Sequence, residues 1–208
     1  MKRIFCIALA AGLSAAPVFA QDEGLYPEPS APDASFVRVY AGPTENVSVQ
    51  RGQSLDQTAN GLTEYTEIRP GLVVIRIGPN EYTIEAGASE HYTFVPASTV
   101  EESVLLTDAV TNAPGEADLI FYNFTDLDAV DLFVPEAGVV AVSPVGPGQG
   151  AGVALRAPLT LGFVARFEGQ DIAQAPSVAM RPRTGTSLVI TGNAGAYVMR
   201  DAPNVYDD

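Results

Sequence analysis

Apolar and polar residues alternate with period two along several short stretches of this chain, the spacing of a strand with one buried face. In SFVRVYAG (residues 35–42) Val37 and Val39 fall on one side, and Phe36, Arg38 and Tyr40 on the other. NVSVQRG, GLVVIRIG, NEYTIEAG and HYTFVPA follow, with Gly78-Pro79-Asn80 as the turn of a hairpin. Gly, Pro, Asn or Asp interrupts the pattern every eight to twelve residues, the rhythm of an all-β sandwich or barrel. The stretch from Val100 to Val110 is the one place where a helical turn competes, and its Val and Thr content opposes a long one.

After Pro114-Gly115 the pattern restarts. ADLIFYNF takes the place of SFVRVYAG, and AVDLFVPEAG that of NVSVQRG. PLTLGFVARFEGQDIAQ forms a second hairpin around Glu168-Gly169-Gln170, and TGTSLVITGN replaces HYTFVPA. The predicted architecture is all-β: two tandem small β-sandwich-like domains, residues 35–97 and 117–200, joined by a linker at 98–116. An acidic tail covers 201–208, and a single larger sandwich is the alternative.

The N-terminus changes what chemistry is available. Lys2 and Arg3 precede an apolar run, and Val18-Phe19-Ala20 fits a cleavage site, so residues 1–20 read as a signal peptide cut after Ala20. Cleavage removes Cys6 and the only lysine, leaving no thiol for a disulfide or metal site. Nine arginines then face twenty-five acids, 9 − 25 = −16, a balance that opposes nucleic-acid binding. Residues 21–34 form an extended, acidic, proline-rich leader. The chain is therefore expected to be exported.

Candidate chemistry is sparse. His91 is the sole histidine, so a Ser-His-Asp arrangement must use it, with Ser89 or Ser98 as nucleophile; no Gly-x-Ser-x-Gly elbow exists. Asp126, Asp128 and Asp131 in FTDLDAVD have spacing a calcium ion accepts, but lack the glycine and terminal glutamate of an EF-hand loop. Asx-type turn bonding explains these aspartates without any ion, so no metal site is expected and the three remain a weak candidate. GPGQGAGVAL (146–155) lacks the Gly-Lys-Ser/Thr ending of a phosphate loop and reads as a flexible loop. No cofactor is implied. Phe36, Arg38 and Tyr40 have two readings: an outward-facing partner-binding face with Arg38 between two aromatics, or aromatics in the core with Arg38 reaching to the rim.

LYPEPSAPDASFVRVY (25–40) resembles the start of the mature AlgF family of alginate O-acetylation proteins, which opens on Leu-Tyr, prolines, Ala-Pro and Ser-Phe-Val-Arg-Val. RPGLVVIRIGPNEYTIEAGASEHYTFV and SLVITGNAGAY resemble later segments of that family. The resemblance implies a non-catalytic periplasmic adaptor in exopolysaccharide (alginate-like) O-acetylation that scaffolds a membrane-bound O-acyltransferase and a periplasmic acetyltransferase or relays acetyl groups between them, with the polysaccharide as a further candidate partner. Leu25 and Tyr26 join Phe36, Arg38 and Tyr40 as expected partner-binding residues. A carbohydrate- or calcium-binding β-sandwich module and a stand-alone acetyltransferase or esterase are the alternatives.

Overall fold

The computed structural model describes residues 30–41, 46–50 and 52–206. The expected signal peptide, Leu25 and Tyr26 lie outside them. The described residues form sixteen strands and no helix. The first eight are β1 (Ser35–Val39), β2 (Val47–Val49), β3 (Gln53–Leu55), β4 (Thr66–Ile68), β5 (Gly71–Ile77), β6 (Asn80–Ala86), β7 (His91–Val95) and β8 (Val104–Thr107). The second eight are β9 (Glu116–Thr125), β10 (Val130–Val134), β11 (Val139–Val145), β12 (Gln149–Arg156), β13 (Leu159–Phe167), β14 (Gln170–Met180), β15 (Thr184–Asn193) and β16 (Ala196–Asn204).

The two sets share one topology. The first makes sheets β4-β1-β7-β8 and β3-β2-β5-β6; the second makes β12-β9-β15-β16 and β11-β10-β13-β14. Adding eight to each strand number converts one set into the other. The parallel pair β1–β7 recurs as β9–β15. Two tandem β-sandwich units are therefore present, as the repeated sequence pattern predicts.

Alternation builds each core. Val37 and Val39 of β1 and Phe94 of β7 meet Val47, Val49, Val73, Ile75 and Ile84 from the facing sheet. In the second unit, Leu119, Phe121, Leu188 and Ile190 meet Val130, Leu132, Phe163 and Val178. The β13–β14 hairpin turns through Glu168 (φ 51°) and Gly169 (φ 78°), two positive-φ positions of the kind that match strand twist in a two-residue loop.

Three boundaries differ from the sequence expectation. Residues 104–107 form β8, paired with β7, so the first unit extends to Thr107 and the connection shrinks to 108–115. Their valine and leucines fill an edge of the β1 sheet, which outweighs any helical turn. The expected tail begins inside β16, which runs to the buried Asn204. The glycine-rich segment is not a loop either: β12 pairs with β9 from Gln149 to Arg156.

A third apolar cluster lies between the two units. Leu106, with Leu62 from the β3–β4 connection, packs on Ile120, Tyr122 and Val189, flanked by Tyr40, Val95 and Phe124. The β1-containing and β9-containing sheets thus face each other, and the molecule is four sheets deep. This position explains why β9 is buried along almost its whole length: its two faces belong to two different cores.

Candidate functional site: a polar cluster between the two units

The layer between the units also holds charge. Arg38, midway along β1, points away from its own core because Val37 and Val39 occupy that side. The facing sheet of the second unit covers it, leaving it 2 % exposed. Each guanidinium nitrogen donates one hydrogen bond, two of them across the junction. Nε donates to Thr93 Oγ1 at 2.9 Å, Nη1 to Asn204 Oδ1 at 2.7 Å, and Nη2 to Tyr122 Oη at 2.6 Å. Its Cζ lies 4.2 Å from the Tyr65 ring centroid and 5.3 Å from that of Tyr122, within cation–π range.

The counter-charge is Asp108, just after β8, with Oδ2 3.9 Å from Arg38 Nη2. Hydroxyl groups bridge the two ions. Thr93 Oγ1 donates to Asp108 Oδ2 at 2.6 Å, Tyr65 Oη donates to the same oxygen at 2.8 Å, and Tyr122 Oη donates to Oδ1. Proton direction is therefore fixed. Arg38 can only donate, ionised Asp108 can only accept, and Thr93 and Tyr122 pass one hydrogen bond on from the first to the second. Such a network pairs the charged groups that the junction buries with hydrogen-bonding partners. Asn204 Oδ1 also accepts from Ser187 Oγ at 2.9 Å, tying β15 and β16 into it.

The electrostatics follow from this enclosure. Burial by itself lowers the Arg38 pKa, but Tyr122, Tyr65 and Asp108 together raise it above its ordinary value. Burial pushes the Tyr122 and Tyr65 phenols up, against the opposing pull of Arg38. Both remain protonated donors at neutral pH.

Two further contacts fix the junction. Asn60 Nδ2 donates to Ser187 O at 3.0 Å across the units. The Asp118 carboxylate accepts from Thr111 N, Thr111 Oγ1 and Asn112 N, which fastens the connection between the units onto β9. One glycine of β12 makes room for the cluster. Gly150 is paired with Tyr122, and a Cβ there would lie 2.5 Å from the ring's Cδ1.

The structure separates the residues singled out from sequence. Arg38 takes neither expected position: its face turns outward from the first core, yet the chain's own second unit covers it, so it is no accessible partner contact. Phe36 stacks on His91 at 4.8 Å, and Tyr40 lies 4.2 Å from Phe124 across the junction. His91 is also edge-on to Tyr65 and Tyr206, and burial lowers its pKa. Ser89 Oγ donates to Pro32 O instead of toward a base.

Asp126, Asp128 and Asp131 are not gathered: Asp126 accepts from Tyr197 Oη at 3.1 Å, and Asp131 lies on β10 opposite Arg166. No group of three His, Cys, Asp or Glu side chains suited to a metal occurs among the described residues. Sequence reasoning missed Tyr65, Thr93, Asp108, Tyr122 and Asn204. The one available signal was ADLIFYNF, whose unbroken apolar run lacks alternation and marks a strand buried on both faces.

No family model matches the chain, and no curated protein does. Among solved structures, a carbohydrate-binding module of family CBM26 from Eubacterium rectale Amy13K, in complex with maltoheptaose, is 8% identical with a TM-score of 0.30. The match covers 84% of this chain and 97% of that one. Likeness at this level supports no inference about what this chain binds.

Proposed function

We propose that this chain is a non-catalytic periplasmic adaptor in exopolysaccharide O-acetylation, bringing a membrane-bound O-acyltransferase and a periplasmic acetyltransferase together. The observation that carries the non-catalytic part is the fate of the buried polar groups. Arg38, Asp108, Tyr65, Tyr122 and Thr93 satisfy one another at the junction, and the His91 ring packs against Phe36, Tyr65 and Tyr206. This chemistry joins two sandwiches into one body, so the work of the protein falls to its surface. The resemblance of the leader, of the β5–β7 segment and of the β15–β16 segment supplies the acetylation context.

Co-purification tests the reading. The tagged chain, extracted in mild detergent, is expected to retain a multi-pass acyltransferase or a periplasmic acetyltransferase, and to transfer no acetyl group by itself. Transfer from a model donor to an oligosaccharide by the purified chain alone would overturn it. Deleting residues 22–29 tests the leader and stops short of the contacts that Ser30 makes with Glu67 and Pro32 with Ser89. Intact folding with lost acetylation makes the leader a docking element; unchanged acetylation removes Leu25 and Tyr26 from the partner surface.

A further inference from the structure

A groove of about 530 Å³ runs along the flank of the second unit, between β14 of one sheet and β16 of the other. Its lining includes Ala179, Arg181, Thr186, Asp201, Asn204 and Val205. We propose that this groove docks an extended segment of a partner protein that presents a carboxylate to Arg181. The proposal rests on the adaptor reading and gives it a location.

Three observations carry it. First, β14 pairs only with β13 and β16 only with β15, so each leaves one line of backbone N–H and C=O groups without a strand partner. An extended chain lying beside such an edge recovers those hydrogen bonds. Second, Arg181 is exposed and engages no carboxylate; the ion pairs among the described residues use Arg38, Arg76 and Arg166. In a chain with a net charge of −14 it is a local cation that selects an anion.

Third, Asn204 lines the groove while its Oδ1 accepts from Arg38 Nη1, so an occupant lies beside the cluster between the units. The space next to Gly185 and Asn204 Nδ2 is taken by the chain's own Tyr206 hydroxyl.

The lining also separates a peptide from an acidic polysaccharide. It contains no aromatic ring on which a sugar face could pack. Asp201 sits beside the groove and repels a second negative charge. One carboxylate flanked by neutral residues fits; a continuous run of uronates does not.

Amide NMR on the full exported chain tests the inference with three probes: the blocked peptide Thr-Val-Asp-Val-Thr, its Asn counterpart, and tetragalacturonate. The Asp peptide is expected to shift the amides of Ala179, Arg181, Thr186 and Asn204. The Asn peptide, or the Arg181→Gln variant, is expected to weaken binding about tenfold, the worth of one charged hydrogen bond. Arg181 is exposed, so the remaining spectrum of that variant should match the parent and report an intact fold. Absence of shifts, equal binding of the Asn peptide, or saturation of the same amides by tetragalacturonate would each overturn the proposal. Undiminished co-purification of the acyltransferase with Arg181→Gln would also overturn it while leaving the adaptor reading standing. Failure of the parent chain to co-purify any partner would remove the adaptor reading instead.

Discussion

Replacing Gly150 by alanine adds one methyl group to a strand, and its effect distinguishes a spacer from a built slot. Gly150 faces Tyr122 in the β12–β9 ladder, and the new Cβ would stand 2.5 Å from Cδ1 and 2.6 Å from Cε1 of that ring. Carbon atoms in contact prefer about 3.5–4.0 Å, so the ring must move by about 1 Å. Tyr122 is fully buried, and its hydroxyl accepts from Arg38 at 2.6 Å. A shift of that size stretches this bond past the roughly 3.5 Å at which it ceases to count.

Overpacking costs about 1–3 kcal/mol, and a hydrogen bond to a charged group is worth about 1.5–3 kcal/mol. Stiffening the unfolded chain returns only about 0.4–1 kcal/mol. The net loss is about 1.5–5.5 kcal/mol, a fall in Tm of roughly 3–20 °C for a chain of this size. Urea denaturation and a thermal melt monitored by circular dichroism measure it. In a Tyr122→Leu background the added cost should largely vanish, because the obstructing ring is gone. A Gly150→Ala protein as stable as the parent, or an equal cost in both backgrounds, would refute the slot.

Arg38→Met leaves Asp108 buried without its cation and should cost about 3–5 kcal/mol by urea denaturation, partly recovered on adding Asp108→Asn; a cost under about 1 kcal/mol contradicts the junction described here. Burial depresses the His91 pKa, so the unfolded chain binds a proton more readily. Its contribution to stability is complete above about pH 6.5 and is lost as pH falls through the folded-state value. The Tm of the parent should therefore drop more between pH 7.5 and 5.5 than that of His91→Gln, and parallel profiles would dismiss the effect. Burial raises the Tyr65, Tyr122 and Tyr206 phenols. Their contribution holds below about pH 10 and is lost as pH rises through the folded-state values. Tyrosinate absorbance should appear together with loss of near-ultraviolet circular dichroism; full titration near pH 10 in a folded protein would refute the burial.

Legibility differed between the strands and the site. SFVRVYAG and GLVVIRIG announce themselves because a half-buried strand must alternate, and the two-residue turn at Glu168-Gly169 announces itself because it needs positive φ. GPGQGAGVAL misleads because glycine is equally at home in a loop and beneath a large ring; only the position of Tyr122 in the ladder decides. Arg38 misleads for a related reason. Alternation says which side of β1 it occupies, but not what lies on that side.

Fold class, strand rhythm, the twofold repeat of strand, strand, hairpin and closing strand, and acidic character were legible in the sequence, because these depend on residues close together in the chain. The tertiary structure decided that two sheets pack face to face, that Asp108 answers Arg38 and that Asn204 closes the cluster from 166 residues away. Those pairings arise from the docking of two separately patterned units. A periodicity of two within each strand holds no information about the surface that will cover its outer face.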